Sequence, residues 1–252
     1  MANRTPLIAG NWKMYKTPAE AADYAAAFLP LVAGISDRDI MLAPPYPALG
    51  TVADALRGSS VGLGAQDLFW ENEGAFTGQV SPKMLCAVGC RYAIIGHSER
   101  RQFFGETDDT VNRKIRAALS AGLVPVMCVG ESEAEREAGQ TFSILDKQLK
   151  GGLKGFFANE IRPLVIAYEP VWAIGTGKTA TSAQAQEAHR FIRSVVEGLF
   201  GPEPATALRI LYGGSVKPDN ISELMGMPDI DGGLVGGASL NPESFAKIVR
   251  FK

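Results

Sequence analysis

The chain has 252 residues, with 25 lysines and arginines against 27 aspartates and glutamates, a net charge of −2. That balance supplies no bulk field toward nucleic acid or anionic lipid, so neither is expected as a partner and any anionic ligand must be held by local groups. Cys86, Cys90 and Cys128 form neither a Cys-x-x-Cys pair nor an even framework, and with only two histidines no metal site is expected.

Unpaired cysteines suit a reduced, cytoplasmic interior. The opening Met-Ala-Asn-Arg-Thr-Pro has no signal-peptide pattern, and no apolar run approaches the roughly 18 residues of a membrane span.

In chain order, strand-like apolar runs fall at 7–11, 40–43, 61–65, 92–95, 124–129, 164–168, 208–212 and 233–235. Helix signals lie between most of them. Thr17-Pro18-Ala19-Glu20 is a capping box with proline at the first helical position, predicting a helix to Val32. After Thr107, the spacing of Val111, Ile115, Ala118 and Leu119 predicts a helix ended by Gly122. Ser132 with Glu135 and Thr181 with Gln184 are two further boxes. The helix after Thr181 carries Phe191, Ile192, Val195, Val196 and Leu199 as a core stripe and stops at Gly201-Pro202. His189, within it, reads as a surface residue. Asn241-Pro242 caps a closing helix that turns Phe245, Ile248 and Val249 inward.

Strand and helix alternating without a break in composition predict a parallel sheet in one domain, residues 1–252. Eight units in this length suit a (β/α)8 barrel.

Polar groups gather just after the strand-like runs. Asn11 and Lys13 follow the first, Gly96-His97-Ser98-Glu99 the fourth, Cys128 to Glu131 the fifth and Glu169 the sixth. Gly213-Gly214-Ser215 and Gly236-Gly237 follow the last two. In a closed barrel these points share one mouth. The set holds a carboxylate, an imidazole, an ammonium, an amide, and glycine or serine turns whose N–H groups can bind phosphate.

Pro170 stops the sixth run, and Gly175 and Gly177 give the following stretch the character of a mobile lid. A Walker loop ending in Gly177-Lys178-Thr179 would need glycine where Trp172 stands. Gly175-Thr-Gly177-Lys-Thr-Ala180 fits a dinucleotide fingerprint, but residues 170–174 separate it from the strand. A nicotinamide-dependent oxidoreductase and a non-catalytic phosphate-binding barrel are therefore the alternative readings.

Six segments in order, at 9–13, 74–78, 95–100, 167–178, 212–215 and 233–239, resemble the triosephosphate isomerase family. The resemblance implies a cofactor-independent isomerase of glycolysis and gluconeogenesis that interconverts dihydroxyacetone phosphate and glyceraldehyde 3-phosphate. Glu169 would be the base, His97 and Lys13 would stabilise the oxyanion, and Asn11 would orient the substrate. Gly175, Ser215, Gly236 and Gly237 would grip the phosphate, while Ile174 and Leu234 would clamp over Glu169 and raise its basicity.

The same resemblance has Glu99 contact Lys13, Ser98 hold the base while the lid is open, and Glu131 and Trp172 meet on closing. Cys128 reads as a small buried residue beside them. The stretch 66–81 resembles an interface loop that would bring Thr77 beside a partner's site in a homodimer. Gln79 stands where many relatives carry a glutamate that pairs with the arginine matched by Arg100, which implies a weaker contact there.

Overall fold

A computed structural model describes residues 4–252. Eight strands form a closed parallel barrel in chain order: β1 (Leu7–Asn11), β2 (Asp39–Ala43), β3 (Gly62–Ala65), β4 (Tyr92–Ile95), β5 (Val124–Val129), β6 (Val165–Tyr168), β7 (Arg209–Tyr212) and β8 (Gly232–Val235). β1 pairs with both β2 and β8, which closes the ring. The strand limits lie within one residue of the expected runs.

The helices are α1 (Pro18–Val32), α2 (Leu49–Ala55), α3 (Pro82–Val88), α4 (Ser98–Phe104), α5 (Asp108–Ser120) and α6 (Glu133–Glu137). They continue with α7 (Thr141–Gly152), α8 (Ser182–Phe200), α9 (Pro202–Ala207), α10 (Ile221–Met225) and α11 (Pro242–Val249). Both halves of the Thr17 capping box form: Glu20 N–H donates to the Thr17 hydroxyl and Thr17 N–H to the Glu20 carboxylate. Ser132 caps only the short α6, however. The longer α7 starts from Gln140 with no side-chain cap. None of these helices is long and apolar enough to cross a membrane.

Alternation along the strands builds two apolar layers. Leu7, Ala9, Met41, Tyr92, Ile94, Val126, Cys128, Val165 and Ala167 fill the barrel interior, while Ile8, Ala93, Ile95, Met127 and Ile166 face the helices. The same parity aims the ends of two strands. Asn11 continues the inward set of Leu7 and Ala9, and Glu169 that of Val165 and Ala167.

Two expectations are corrected on α8. Its apolar stripe does not extend to Leu199, which is exposed near the helix end; Ala185, Ala188, Ile192 and Val196 carry the burial. His189 lies on that buried stripe and not at the surface. Its Nδ1 meets the Asp229 carbonyl at 3.1 Å, so that nitrogen carries the proton of a neutral ring. Burial pushes its pKa down from 6.5 to about 3.

A histidine held neutral in the fold and free to protonate when unfolded contributes stability that is complete above pH 6.5 and is lost as pH falls toward 3. The expected loss is about 1.4 kcal/mol per pH unit across that window. Urea unfolding at a series of pH values should show this slope, and His189→Gln should remove it.

Candidate active site

Every polar group expected at the strand ends sits at the carboxyl end of the barrel, and a cavity of about 390 Å³ gathers most of them. Its walls include Asn11, Lys13, His97, Glu169, Ile174, Gly175, Ser215, Leu234, Gly236 and Gly237. Tyr15, Gly213, Gly214, Val216 and Lys217 also line it. Of these additions, Tyr15, Val216 and Lys217 were not expected from the sequence, since nothing about a lone loop residue marks it as a wall.

β1 delivers Asn11 and Lys13 together. The Asn11 side chain accepts the Lys13 N–H at 3.0 Å, and Lys13 holds a left-handed backbone with φ 52° that a side chain rarely adopts. Gln66 fixes the other end of that peptide, its amide donating to the carbonyls of Lys13 and Ala43 at 2.8 and 2.9 Å. The Lys13 ammonium lies 2.5 Å from a Glu99 carboxylate oxygen, the contact the resemblance implies.

His97 reaches the mouth by a different device. Ala93 and Ile95 face the helices, so parity alone would send His97 outward with them. Gly96, at φ 73°, turns the chain back; a side chain there would also meet Val111 at 2.7 Å. His97 then caps α4, its Nδ1 accepting the N–H of Glu99 at 3.2 Å.

The nearly sealed Glu169 carboxylate bridges two groups. One oxygen lies 2.9 Å from His97 Nε2 and the other accepts the Ser98 backbone N–H at 2.9 Å. Ser98 thus holds the base through its main chain. Behind Glu169, a side chain at Gly213 would lie 2.9 Å from its Cγ, so glycine leaves the carboxylate its space.

Burial pushes the Glu169 carboxyl up, but the imidazole, the Ser98 N–H and the Lys13 charge outweigh it and hold the group below the ordinary carboxylate range. The expected rise in basicity is therefore not present while Glu169 rests here. Burial pushes His97 down, and the Glu169 carboxylate outweighs that and draws its pKa up. Against full protonation stands the Glu99 N–H aimed at Nδ1, which leaves that nitrogen the acceptor. The geometry gives a neutral ring whose Nε2–H donates to Glu169.

The lid root is pinned from the loop after β5. The buried Glu131 carboxylate accepts from Trp172 Nε1 at 3.0 Å, from Tyr168 Oη at 3.1 Å and from Arg136 at 3.2 Å. Trp172 meets Glu131 while the base lies against Ser98. Residues 175–179 are exposed, and Lys178 pairs with Glu133.

The dinucleotide reading fails on geometry. A short 3-10 turn (Val171–Ala173) follows β6, and α8 starts only at Ser182, so Gly175 and Gly177 head no helix. Cys128 is fully buried, and burial lifts its thiol well above the usual range, which leaves it no nucleophile.

Thr77 and Gln79 lie in the exposed part, 71–79, of the 66–81 stretch, which has no regular element. Arg100 instead pairs within the chain, with Asp67 at 3.0 Å and Glu106 at 2.5 Å. Lys114, buried with both carboxylates, completes the quartet by contacting the same two groups.

The barrel and its mouth define a (β/α)8 enzyme of the acid–base kind, in which a buried carboxylate works beside an imidazole and an ammonium. The family model for triosephosphate isomerase matches residues 6–252. The chain is 58% identical over 248 residues to a triosephosphate isomerase of Citrifermentans bemidjiense, covering 98% of this chain and 99% of that one. It is 59% identical over 249 residues to one of Trichlorobacter lovleyi, covering 99% of each. The crystal structure of triosephosphate isomerase from Bartonella henselae superposes with a TM-score of 0.87 at 39% identity, covering 97% of both chains. The chain belongs to the triosephosphate isomerase family.

Proposed function

We propose that this single-domain barrel interconverts dihydroxyacetone phosphate and D-glyceraldehyde 3-phosphate, with Glu169 carrying a proton between adjacent carbons through an enediolate. The observation that supports this most directly is the pairing of Glu169 with His97 at 2.9 Å inside a cavity shared with Lys13 and the glycine turns. A carboxylate is too weak to deprotonate that carbon unless the developing oxyanion is stabilised as it forms. His97 Nε2–H and the Lys13 ammonium supply that stabilisation, and Asn11 orients the substrate.

Moving Glu169 off His97 and Ser98 onto the substrate changes both groups in the useful direction. The carboxylate loses the contacts that hold its pKa down and keeps its burial, so it becomes a stronger base. His97 loses the carboxylate that draws its pKa up, so it stays a neutral donor.

N–H groups of Gly175, Ser215, Gly236 and Gly237 grip the phosphate, the last heading a short 3-10 turn (Gly237–Leu240). Closure of the lid brings Ile174 over the base opposite Leu234 and expels water.

The molecule works as a homodimer through residues 66–81. Phe76 on that loop and Met84 just past it are exposed apolar side chains, as are Met14 and Tyr15, which follow the Lys13 carbonyl that accepts from Gln66 at the loop's start; Thr77 stands beside Phe76. Arg100 already has two carboxylate partners within the chain, so Gln79 adds only a neutral contact. Its three unpaired cysteines suit a reduced cytoplasm, which cell fractionation would test.

A coupled assay on D-glyceraldehyde 3-phosphate, with sedimentation velocity on the same sample, tests the reading. Turnover by a sedimenting dimer is expected. Protection by phosphoglycolate without turnover would leave only the non-catalytic barrel, and a monomer at full activity would remove the dimer.

A further inference from the structure

The proton-transfer pair follows strands that are not neighbours: His97 comes after β4, Glu169 directly after β6, and β5 lies between. On one side the seam is continuous. β5 and β6 stay in register to Val129 and Tyr168, and the Glu169 N–H then donates to the Val129 carbonyl at 2.7 Å. On the other side the β4–β5 ladder stops at Ile95 and Met127. The next rung would join Gly96 and Cys128, but the left-handed turn at Gly96 breaks it. The turn that aims His97 into the mouth therefore also parts its strand from β5.

One side chain spans that gap. Arg101 Nε donates to the Gly96 carbonyl at 2.9 Å and Nη2 to the Cys128 carbonyl at 3.4 Å, the two acceptors of the missing rung. Its remaining arm donates to the Asp108 carboxylate at 2.7 Å, at the first position of α5. With 18% of its side chain exposed, the guanidinium is largely shielded from water. A planar fork can address three acceptors in fixed directions; an ammonium cannot.

We propose that Arg101 is a positioning residue for the isomerisation, replacing the absent rung and setting the distance of His97 from Glu169. It does not reach the substrate cavity, so it acts only through these strand ends. The inference rests on the roles proposed above for Glu169 and His97.

Arg101→Lys is the decisive variant, because its ammonium can keep the Asp108 pair while losing the fork. A misplacement of order 1 Å at the reacting groups lowers turnover by up to about 10²-fold. The expected result is kcat down about 10- to 100-fold with KM and phosphoglycolate affinity within about twofold, since Ser215, Gly236 and Gly237 follow β7 and β8, Gly175 stands in the loop after β6, and Arg101 bonds to none of them. The pH profile of kcat/KM should shift as well, because the Glu169–His97 contact is altered.

Added guanidinium ion should restore part of the kcat of Arg101→Ala, a second variant that keeps the test open if a substitution weakens the fold. Parental kcat in folded Arg101→Lys would overturn the proposal. So would equal losses in turnover and phosphoglycolate-binding capacity, which signal unfolded protein alone. If Glu169→Gln were inactive while Arg101→Lys kept full rate, this inference would fail and the catalytic reading would stand.

Discussion

Glu169→Gln is expected to lower kcat by about 10²- to 10⁴-fold, the range a positioned proton-transfer group supplies. The substitution preserves shape, and the amide oxygen can still accept the Ser98 N–H that the carboxylate accepts at 2.9 Å. Folding and phosphoglycolate binding should therefore persist, with affinity changed only a few-fold. What disappears is the proton acceptor, for which an amide has no substitute at neutral pH. Steady-state kinetics in both directions, with calorimetric titration of phosphoglycolate, separates these outcomes. A variant that binds the anion and turns over at near-parental rate would falsify the assignment of the base.

Lys13→Met is expected to cost about 10²- to 10³-fold in kcat, the loss typical of one oxyanion donor. It should also raise KM, because the ammonium lies beside Gly236 in the phosphate-binding wall: a side-chain carbon built on Gly236 would sit 3.9 Å from Lys13 Nζ. Removing it leaves Glu99 without its 2.5 Å partner, but that carboxylate is 38% exposed and water can take over. The same left-handed backbone and the Asn11 and Gln66 contacts should survive, since they involve only main-chain atoms of residue 13. A raised KM with kcat intact would restrict Lys13 to ground-state attraction of the phosphate.

The barrel was legible because its strands are short, apolar and buried on both faces, which marks them without help from distant residues. Asn11 and Glu169 were legible because each stands at the end of an apolar run, and strand parity in the folded barrel turns both inward. Helices were read where a capping side chain announced them, as at Thr17; α7 and α2 were missed because Gln140 and Ala48 make no such bond, and α3 was missed although Ser81 caps it. His189 was misread although the signal existed: Ala185, Ala188, His189, Ile192 and Val196 fall on one helical face. A polar side chain on such a stripe indicates a satisfied core group more often than a break in the stripe.

Arg101 and the quartet of Asp67, Arg100, Glu106 and Lys114 had no local mark at all. Their meaning lies in contacts between segments far apart in sequence, and in carbonyl groups that composition and spacing do not display. Glu169 differs from both cases. Its position was readable, but the direction of its resting pKa depends on the Ser98 N–H and the imidazole, which only the folded chain brings to it.

Because β1 bonds to β8, no strand in the sheet is left with an unclaimed row of main-chain donors and acceptors. Among the described residues the closed sheet offers a second molecule no template for strand addition, so fibrous growth by that route must begin from chains whose ring has opened. Resistance to fibril formation should thus follow the rate of barrel opening.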